Sequence, residues 1–165
     1  MDNKFVLAVY VDNKAGVLTR VSAMFTRRGF NIDAITSGDT DHPEYSRITI
    51  VMRGDVYVQE QIINQLKKLH VVKKVQLLDD DSIERELMLI KVSNKVKNRS
   101  EIMTAVDVFR ANVIDYSPEA MCIEVTGSPS KIDAFVKLMQ PFGILEMCRT
   151  GIVALDRGTK TLFSE

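Results

Sequence analysis

The stretch Phe5–Ile32, FVLAVYVDNKAGVLTRVSAMFTRRGFNI, contains a strand, a turn and a helix in close succession. Phe5–Val11 is a continuous run of β-forming apolar residues, which predicts a strand that is buried on both faces. Apolar residues recur at helical spacing over Val17–Phe25, and Gly29 is typical of the left-handed residue that follows a helix. A second strand is predicted at Asn31–Ser37. The stretch therefore begins a β-α-β arrangement.

The order of elements continues beyond this stretch and is then repeated. Tyr45–Met52 alternates between two sets of side chains, which predicts a third strand, and a helix and a fourth strand follow up to Leu78. The second half shows the same order of predicted strands and helices over Glu86–Met147, with a further short strand at Ile152–Leu155. Asp79–Ser82, between the halves, is interpreted as a solvated linker.

The order strand-helix-strand-strand-helix-strand, with right-handed crossovers, is typical of the ferredoxin-like fold, in which two helices cover one face of a four-stranded antiparallel sheet. We therefore predict an α+β protein with two ferredoxin-like βαββαβ domains in tandem, 1–79 and 80–165. Both faces of the Phe5–Val11 strand are apolar, so the face without helices also needs cover. We expect the first domain to pair with another copy, or to pack this face against something else.

Composition and charge do not favour several classes of protein. The 165 residues include 22 basic and 22 acidic side chains, whereas a nonspecific nucleic-acid binder usually has a basic excess. No apolar run approaches the roughly 18 residues of a membrane span. The first five residues run straight into a strand, which is atypical of a signal peptide. Cys122 and Cys148 make no disulfide framework, so a cytoplasmic location is expected.

The common motifs of catalysis and metal binding are absent from the sequence. It contains no GxxxxGK[ST], no GxGxxG and no GxSxG. His42 and His70 have no second histidine or cysteine at ligand spacing, so no metal site is predicted. Cys122 and Cys148 lie in apolar runs and are predicted to be small buried residues rather than nucleophiles. A binding or regulatory role is therefore favoured over a catalytic one.

The turn before the first helix is the best candidate for a ligand site. Gly16 lets a ligand approach the backbone at the helix N-terminus, where free N–H groups and the positive end of the helix dipole suit a carboxylate. Asn13 and Asn31 supply amides that both donate and accept hydrogen bonds. This combination suits a zwitterion such as an amino acid. The same residues also fit a turn and a helix start with no ligand, so both interpretations stay open at this point.

A family resemblance adds to this reading. Residues 5–78 resemble an ACT domain, a small regulatory module that commonly binds amino acids between two copies. The patterns NxxGVLxR at Asn13–Arg20 and RGFNI at Arg28–Ile32 resemble more specifically the small regulatory subunit of acetolactate synthase (acetohydroxyacid synthase). The resemblance spans nearly the whole chain, and its further segments are Ser82–Val92, Asp115–Gly127, Lys131–Phe135 and Arg149–Gly151.

The resemblance implies a regulatory subunit without a catalytic site of its own. Such subunits bind and activate a larger catalytic subunit, which is a transferase of branched-chain amino acid biosynthesis. The cofactors of that catalytic subunit are thiamine diphosphate, Mg and FAD. None of these cofactors is expected in this chain. Many members also make the catalytic subunit sensitive to feedback inhibition by valine, and the effector can be another branched-chain amino acid, isoleucine or leucine. The resemblance implies that the effector binds between the ACT domains of a homodimer. The positions of this sequence that match the family's effector site are Asn13, Ala15, Gly16, Val17 and Leu18 from one chain, and Asn31 and Ile32 from its neighbour.

The second half lacks the chemistry of this turn. Gly16 corresponds to Asn98 and Asn13 to Lys95, so the effector site is predicted only in the first domain. The second domain is expected to serve structure and contact with the catalytic subunit.

Three alternative functions compete with this interpretation. A stand-alone ACT protein that senses an amino acid and regulates another enzyme would have the same site and a different partner. An RNA-binding module shares the topology but needs aromatic residues on its central strands and a basic setting, which the sequence does not offer. A small enzyme would need a nucleophile or an acid-base pair, and neither is found.

Overall fold

The computed structural model describes residues 3–163, which form two compact units. The first unit contains the chain up to Ile83 together with the segment that begins at Ile152. The second unit is Glu84–Gly151. The chain thus passes from the first unit to the second after Ile83 and returns to the first unit at Ile152. The segment from Ile152 onward, which we expected in the second domain, groups with the first unit.

The first unit has the predicted βαββαβ order. Its strands and helices are β1 (Asn3–Asp12), α1 (Val17–Arg28), β2 (Ala34–Asp39), β3 (Tyr45–Gly54), α2 (Val56–Lys67) and β4 (Val72–Leu77). The sheet order is β2-β3-β1-β4 with antiparallel neighbours, so β2 and β4 are the edge strands. Asn31 and Ile32, expected in the second strand, lie in the loop before β2.

The main core of the first unit lies between the sheet and the two helices. Leu7 and Val9 from β1 are fully buried there. They meet an apolar stripe of each helix, because helical residues three and four apart share one face. The helix residues of this core are Val17, Val21, Met24, Phe25, Ile62 and Leu66.

The opposite face of the sheet is covered by the end of the chain. Val6, Ala8 and Tyr10 alternate with the core residues of β1 and are also buried. A second cluster forms around them with residues of the returning segment: Ile152, Ala154 and Leu162. Ala154 lies in the short strand β9 (Val153–Leu155). The predicted need for cover on this face is thus met within the chain.

Polar contacts fix the returning segment to the first unit. The Asp156 side chain is 2% exposed and accepts hydrogen bonds from Gln76 Nε2 and from the backbone N–H of Asp79. Lys160 pairs with the Asp79 carboxylate at 2.7 Å, and Arg157 Nε donates to the carbonyl oxygen of Asp81. The three carboxylate residues Asp79, Asp80 and Asp81 are exposed, as expected of a solvated linker, and Asp79 and Asp81 also contact the returning segment.

The second unit repeats the same order of elements. They are β5 (Ile83–Ser93), α3 (Arg99–Val108), β6 (Asn112–Tyr116), β7 (Ala120–Gly127), α4 (Pro129–Met139) and β8 (Ile144–Arg149), with the strand order β6-β7-β5-β8. Their apolar faces bury a core of twelve residues that includes Met88, Ile90, Ile102 and Phe135. The two tandem βαββαβ units confirm the predicted fold class.

Two local features of the second unit concern β8. Arg149 makes a bidentate ion pair with the buried Glu86 and also contacts Asp133 on α4. The hydrogen bond to Glu86 is the main cause that raises the pKa of this guanidinium.

Cys148 is exposed and Cys122 is half-buried, so the expectation of two buried cysteines is wrong. Cys148 pairs with Leu89, whose side chain alternates with those of the core residues Met88 and Ile90, so Cys148 lies on the face of the sheet that points away from this core.

Candidate functional site

The turn between β1 and α1 has the open geometry that its glycine predicts. Gly16 immediately precedes α1 and has a φ of +82°, a left-handed conformation that favours glycine. A Cβ atom on Gly16 would have no other side chain or backbone atom of residues 3–163 within 4 Å, apart from its immediate chain neighbours. Asn13, Lys14 and Ala15 are exposed as well. The turn therefore leaves the start of the helix accessible to a small molecule.

Among the described residues, no side chain caps the N-terminus of α1. Arg20 N–H donates to the Gly16 carbonyl oxygen, as in a regular first turn, and Val17 N–H donates to the Lys14 carbonyl oxygen at 3.3 Å. No side chain within residues 3–163 accepts from the first N–H groups of the helix. In α2, by contrast, the Asp55 carboxylate accepts from Val58 N–H at 2.9 Å. The N–H groups of Leu18 and Thr19 are left without an acceptor in the described part of the chain, and together with the helix dipole they favour an anionic group at this end.

Asn13 is held in place by the loop between β2 and β3. Its backbone N–H donates to the carbonyl oxygen of Glu44 at 2.8 Å, and its Nδ2 donates to the carbonyl oxygen of Pro43 at 3.0 Å. These bonds orient the amide with its donor toward the loop. Its Oδ1 receives no hydrogen bond from residues 3–163 and is left as an acceptor, which suits an ammonium group.

The predicted apolar residues of the turn differ in where they point. Leu18 is 47% exposed, on the outer face of α1. Val17 is buried and belongs to the core of the first unit. Leu18 is thus the apolar side chain that the turn offers to a ligand.

Asn31 and Ile32 lie at the other end of α1. Both follow Gly29, which ends the helix with a φ of +70°. Asn31 is exposed, and Ile32 is half-buried and packs against the core. Because α1 has 12 residues, it separates this loop from Gly16 by about 18 Å. Within one chain, the structure therefore does not bring the two halves of the predicted site together.

The equivalent turn of the second unit is built differently. Asn98 precedes α3 with a φ of −105°, and Val96–Asn98 form a 3₁₀ turn. The buried Asn94 accepts from Arg99 Nε at 3.0 Å and donates to the carbonyl oxygen of Ser117, so the chain's own side chains occupy this region. This geometry agrees with the prediction that the open turn belongs to the first unit alone.

The outer face of α1 is a surface that the sequence analysis missed. It forms a shallow groove of about 550 Å³ whose lining residues are Leu18, Thr19, Ser22, Ala23, Thr26 and Arg27. Apart from Leu18 and Arg27, these side chains are small, and Thr26 Oγ1 bonds back to the Ser22 carbonyl oxygen. The signal was available, because small residues recur at helical spacing opposite the apolar stripe.

Neither a metal cluster nor a membrane span is found in the part of the chain that the structure describes. No group of three or more His, Cys, Asp or Glu residues within 3–163 is arranged to hold a metal ion. No helix in that range is long and apolar enough to cross a bilayer.

Comparison with protein-family models matches both units. Residues 7–74 match the family described as AHAS small subunit-like ACT domain. Residues 85–158 match the family described as small subunit of acetolactate synthase. Together the two matches cover most of the chain, and the predicted ACT domain is confirmed.

Whole-chain relatives and a solved structure agree with the family models. The chain is 48% identical to the probable acetolactate synthase small subunit of Archaeoglobus fulgidus, over 95% of this chain and 99% of that protein. It is 46% identical to the acetolactate synthase small subunit of Mycobacterium bovis, over 93% and 92% of the two chains. The crystal structure of the acetolactate synthase small subunit from Thermotoga maritima superimposes with a TM-score of 0.91 at 40% identity, covering 96% of this chain and 99% of that one. The chain therefore belongs to the family of acetolactate synthase small subunits.

Proposed function

We propose that this chain activates a thiamine-diphosphate-dependent acetolactate synthase catalytic subunit in the cytoplasm and makes it sensitive to feedback inhibition by valine or another branched-chain amino acid. In this role the chain supplies a binding site and a docking surface, and the catalytic subunit supplies the reacting groups and the cofactors thiamine diphosphate, Mg and FAD. Membership of the small-subunit family supports the choice of partner.

The effector site is proposed to lie between two copies of the first unit. The observation that carries this proposal is the separation of about 18 Å between the turn at Gly16 and the loop at Asn31. The turn and the loop of one chain are too far apart to contact the same small amino acid. In a homodimer whose α1 helices run antiparallel, the turn of one copy lies beside the loop of the other. Each dimer then has two equivalent sites.

The chemistry of the turn matches the two charged ends of an amino acid. The free N–H groups at the start of α1 bind the carboxylate, and Asn13 Oδ1 accepts from the ammonium group. Leu18 of one copy and Ile32 of the other contact the branched side chain. One methylene in such a pocket changes affinity by only about 1–3 kcal/mol, so valine, leucine and isoleucine are all candidate effectors.

Two measurements test the proposal. Titration calorimetry of the purified chain with valine, leucine, isoleucine and lysine should show binding of at least one branched-chain amino acid and no binding of lysine. Adding the chain to its catalytic subunit should raise synthase activity, and the same amino acid should then lower that activity. A chain that binds a branched-chain amino acid but neither retains nor activates a synthase would instead be a stand-alone amino-acid sensor.

A further inference from the structure

The loop between β2 and β3, residues 40–44, determines where the Asn13 side chain points. Asn13 donates to two carbonyl oxygens of this loop, from its backbone N–H to Glu44 at 2.8 Å and from its Nδ2 to Pro43 at 3.0 Å. Because the two acceptors are neighbours in the chain, a shift of the loop moves both hydrogen bonds together. The orientation of Asn13 Oδ1 toward a ligand therefore depends on the position of the loop.

Thr40 holds this loop in shape. Its Oγ1 accepts from His42 N–H at 3.1 Å and lies 2.9 Å and 3.1 Å from the carbonyl oxygens of His42 and Tyr45. The single hydroxyl proton is donated to one of these two oxygens at a time. Tyr45 N–H donates to the His42 carbonyl oxygen at 3.0 Å. Pro43 and Glu44 lie between these two residues, so the Thr40 hydroxyl fixes both acceptors that Asn13 uses.

An aromatic stack connects the loop with the returning segment. The Tyr10 ring lies between two others, that of Tyr45 with a centroid distance of 4.9 Å and an angle of 34°, and that of Phe163 at 4.9 Å and 89°. Aromatic rings attract one another at such separations, and the edge-to-face arrangement is favourable. Tyr10 is buried, and its hydroxyl oxygen lies 3.5 Å from Thr40 Oγ1. The stack therefore contacts both Thr40 and the residue that closes the loop.

Phe163 is the outer ring of this stack and differs from its neighbour in the chain. Leu162 is buried in the cluster that covers the sheet face. Phe163 is 57% exposed, and it contacts the edge of the Tyr10 ring pair and the Lys74 ammonium group, which lies 5.5 Å from its centroid. Covering the sheet and contacting Tyr10 are thus tasks of two different side chains.

We propose that Thr40 and Phe163 are positioning residues that hold the Asn13 amide in its orientation. Phe163 stabilises the pair of Tyr10 and Tyr45, and this pair together with Thr40 fixes the loop that binds Asn13. The inference rests on the effector site of the proposed function and adds a way to regulate it. If the ring of Phe163 is removed, effector binding must also order the loop, and affinity falls although no residue that contacts the ligand has changed.

Variants of the full chain at Thr40 test the first part of this connection. Thr40→Val keeps the shape of the side chain and removes the hydroxyl, whereas Thr40→Ser keeps the hydroxyl. In titration calorimetry with the branched-chain amino acid that the parent chain binds most tightly, Thr40→Val should raise the Kd by roughly tenfold. Thr40→Ser should recover most of this affinity, which a role in packing alone would not explain.

Variants at Phe163 test the second part and have a matched control in the same segment. Phe163→Ala should raise the Kd by roughly threefold or more, in line with the loss of one aromatic contact. Phe163→Tyr keeps the ring and should recover the affinity. Leu155→Ala is the control, because Leu155 is an apolar residue of the returning segment with a similar exposure of 61% and lies outside the stack. Its Kd should equal that of the parent.

A second measurement reports on Asn13 without any ligand. The side-chain NH₂ signals of Asn13 in nitrogen-proton NMR spectra are assigned by their loss in Asn13→Asp. These signals should shift in Thr40→Val and in Phe163→Ala and coincide with those of the parent in Leu155→Ala. A general loss of stability would lower the melting temperature and leave the signals of the folded chain in place. If Thr40→Val does not fold, Phe163→Ala and Phe163→Tyr provide the same comparison.

Two outcomes overturn the inference: Asn13 signals that stay in place in Phe163→Ala or in folded Thr40→Val, or a Kd in either variant that equals the parent's. In both cases a parent chain that binds a branched-chain amino acid and activates the synthase leaves the proposed function standing. A parent chain that binds no such amino acid contradicts the proposed effector site instead, and the Asn13 signals then decide by themselves whether Thr40 and Phe163 position this residue.

Discussion

Arg47 Nη2 donates a hydrogen bond of 2.7 Å to the carbonyl oxygen of Ala154, a residue 107 positions further along the chain. Burial lowers the pKa of the Arg47 guanidinium, and the nearby Asp156 carboxylate acts in the opposite direction. A half-buried cation is stable here because it has both a carbonyl acceptor and an opposite charge. The end of the chain is therefore a structural part of the first unit, in addition to covering its apolar sheet face.

Replacing Asp156 tests the attachment of this segment. Asp156→Ala should lower the free energy of unfolding by about 1–3 kcal/mol, because Gln76 Nε2 and the Asp79 N–H would lose their acceptor. Thermal unfolding followed by circular dichroism measures the change. Asp80→Ala is the matched control, since Asp80 is exposed in the same stretch and makes no hydrogen bond or ion pair within residues 3–163. Equal melting temperatures for the two variants would contradict the structural role of Asp156.

Local patterns were enough to predict the strands, the helices and the open turn. The helical spacing from Val17 onward and the alternation from Tyr45 onward are properties of short windows, and Gly16 indicated the special backbone directly. The packing of Ile152, Ala154 and Leu162 was not predictable in this way. Three apolar residues in a short segment fit either face of either sheet, and their choice depends on contacts more than a hundred residues away.

The chain alone should show no acetolactate synthase activity. The proposed function assigns the reacting groups and thiamine diphosphate to the catalytic subunit, so turnover requires that subunit. The assay compares the purified chain, the catalytic subunit and their mixture with the cofactors supplied. Activity that copurifies with the isolated chain through several columns would contradict a purely regulatory role.

Valine should raise the thermal stability of the chain. A ligand that binds only the folded state adds RT ln(1 + [L]/Kd), which is about 2.7 kcal/mol at a hundredfold excess over Kd. If the site bridges two copies, the shift should also grow with protein concentration. Differential scanning fluorimetry at two protein concentrations measures both effects, with lysine as the control ligand. The absence of a shift with valine, leucine and isoleucine would count against the effector site.

Asn31→Ala should weaken effector binding from the other side of the proposed interface. The variant removes an amide that the bound ligand would otherwise contact, a loss of roughly 1–3 kcal/mol. Stability should change little, because Asn31 is exposed and makes no hydrogen bond with the part of the chain the structure describes. Calorimetry with valine measures the affinity. An unchanged Kd would place this loop outside the site.

Gly16→Asp should abolish inhibition by valine, because its side chain fills the ligand space and its negative charge repels the effector carboxylate. A Cβ at Gly16 would contact no other part of residues 3–163 within 4 Å, but the φ of +82° disfavours any L residue. The substitution should therefore lower the free energy of unfolding by about 1 kcal/mol. Gly158→Asp is the matched control for this strain, since Gly158 has a φ of +67° and equally open surroundings. Asn98→Asp tests the corresponding position of the second unit. Inhibition assays of the reconstituted complex should show loss of valine sensitivity for Gly16→Asp alone. Loss with Asn98→Asp and retention with Gly16→Asp would place the effector in the second unit instead.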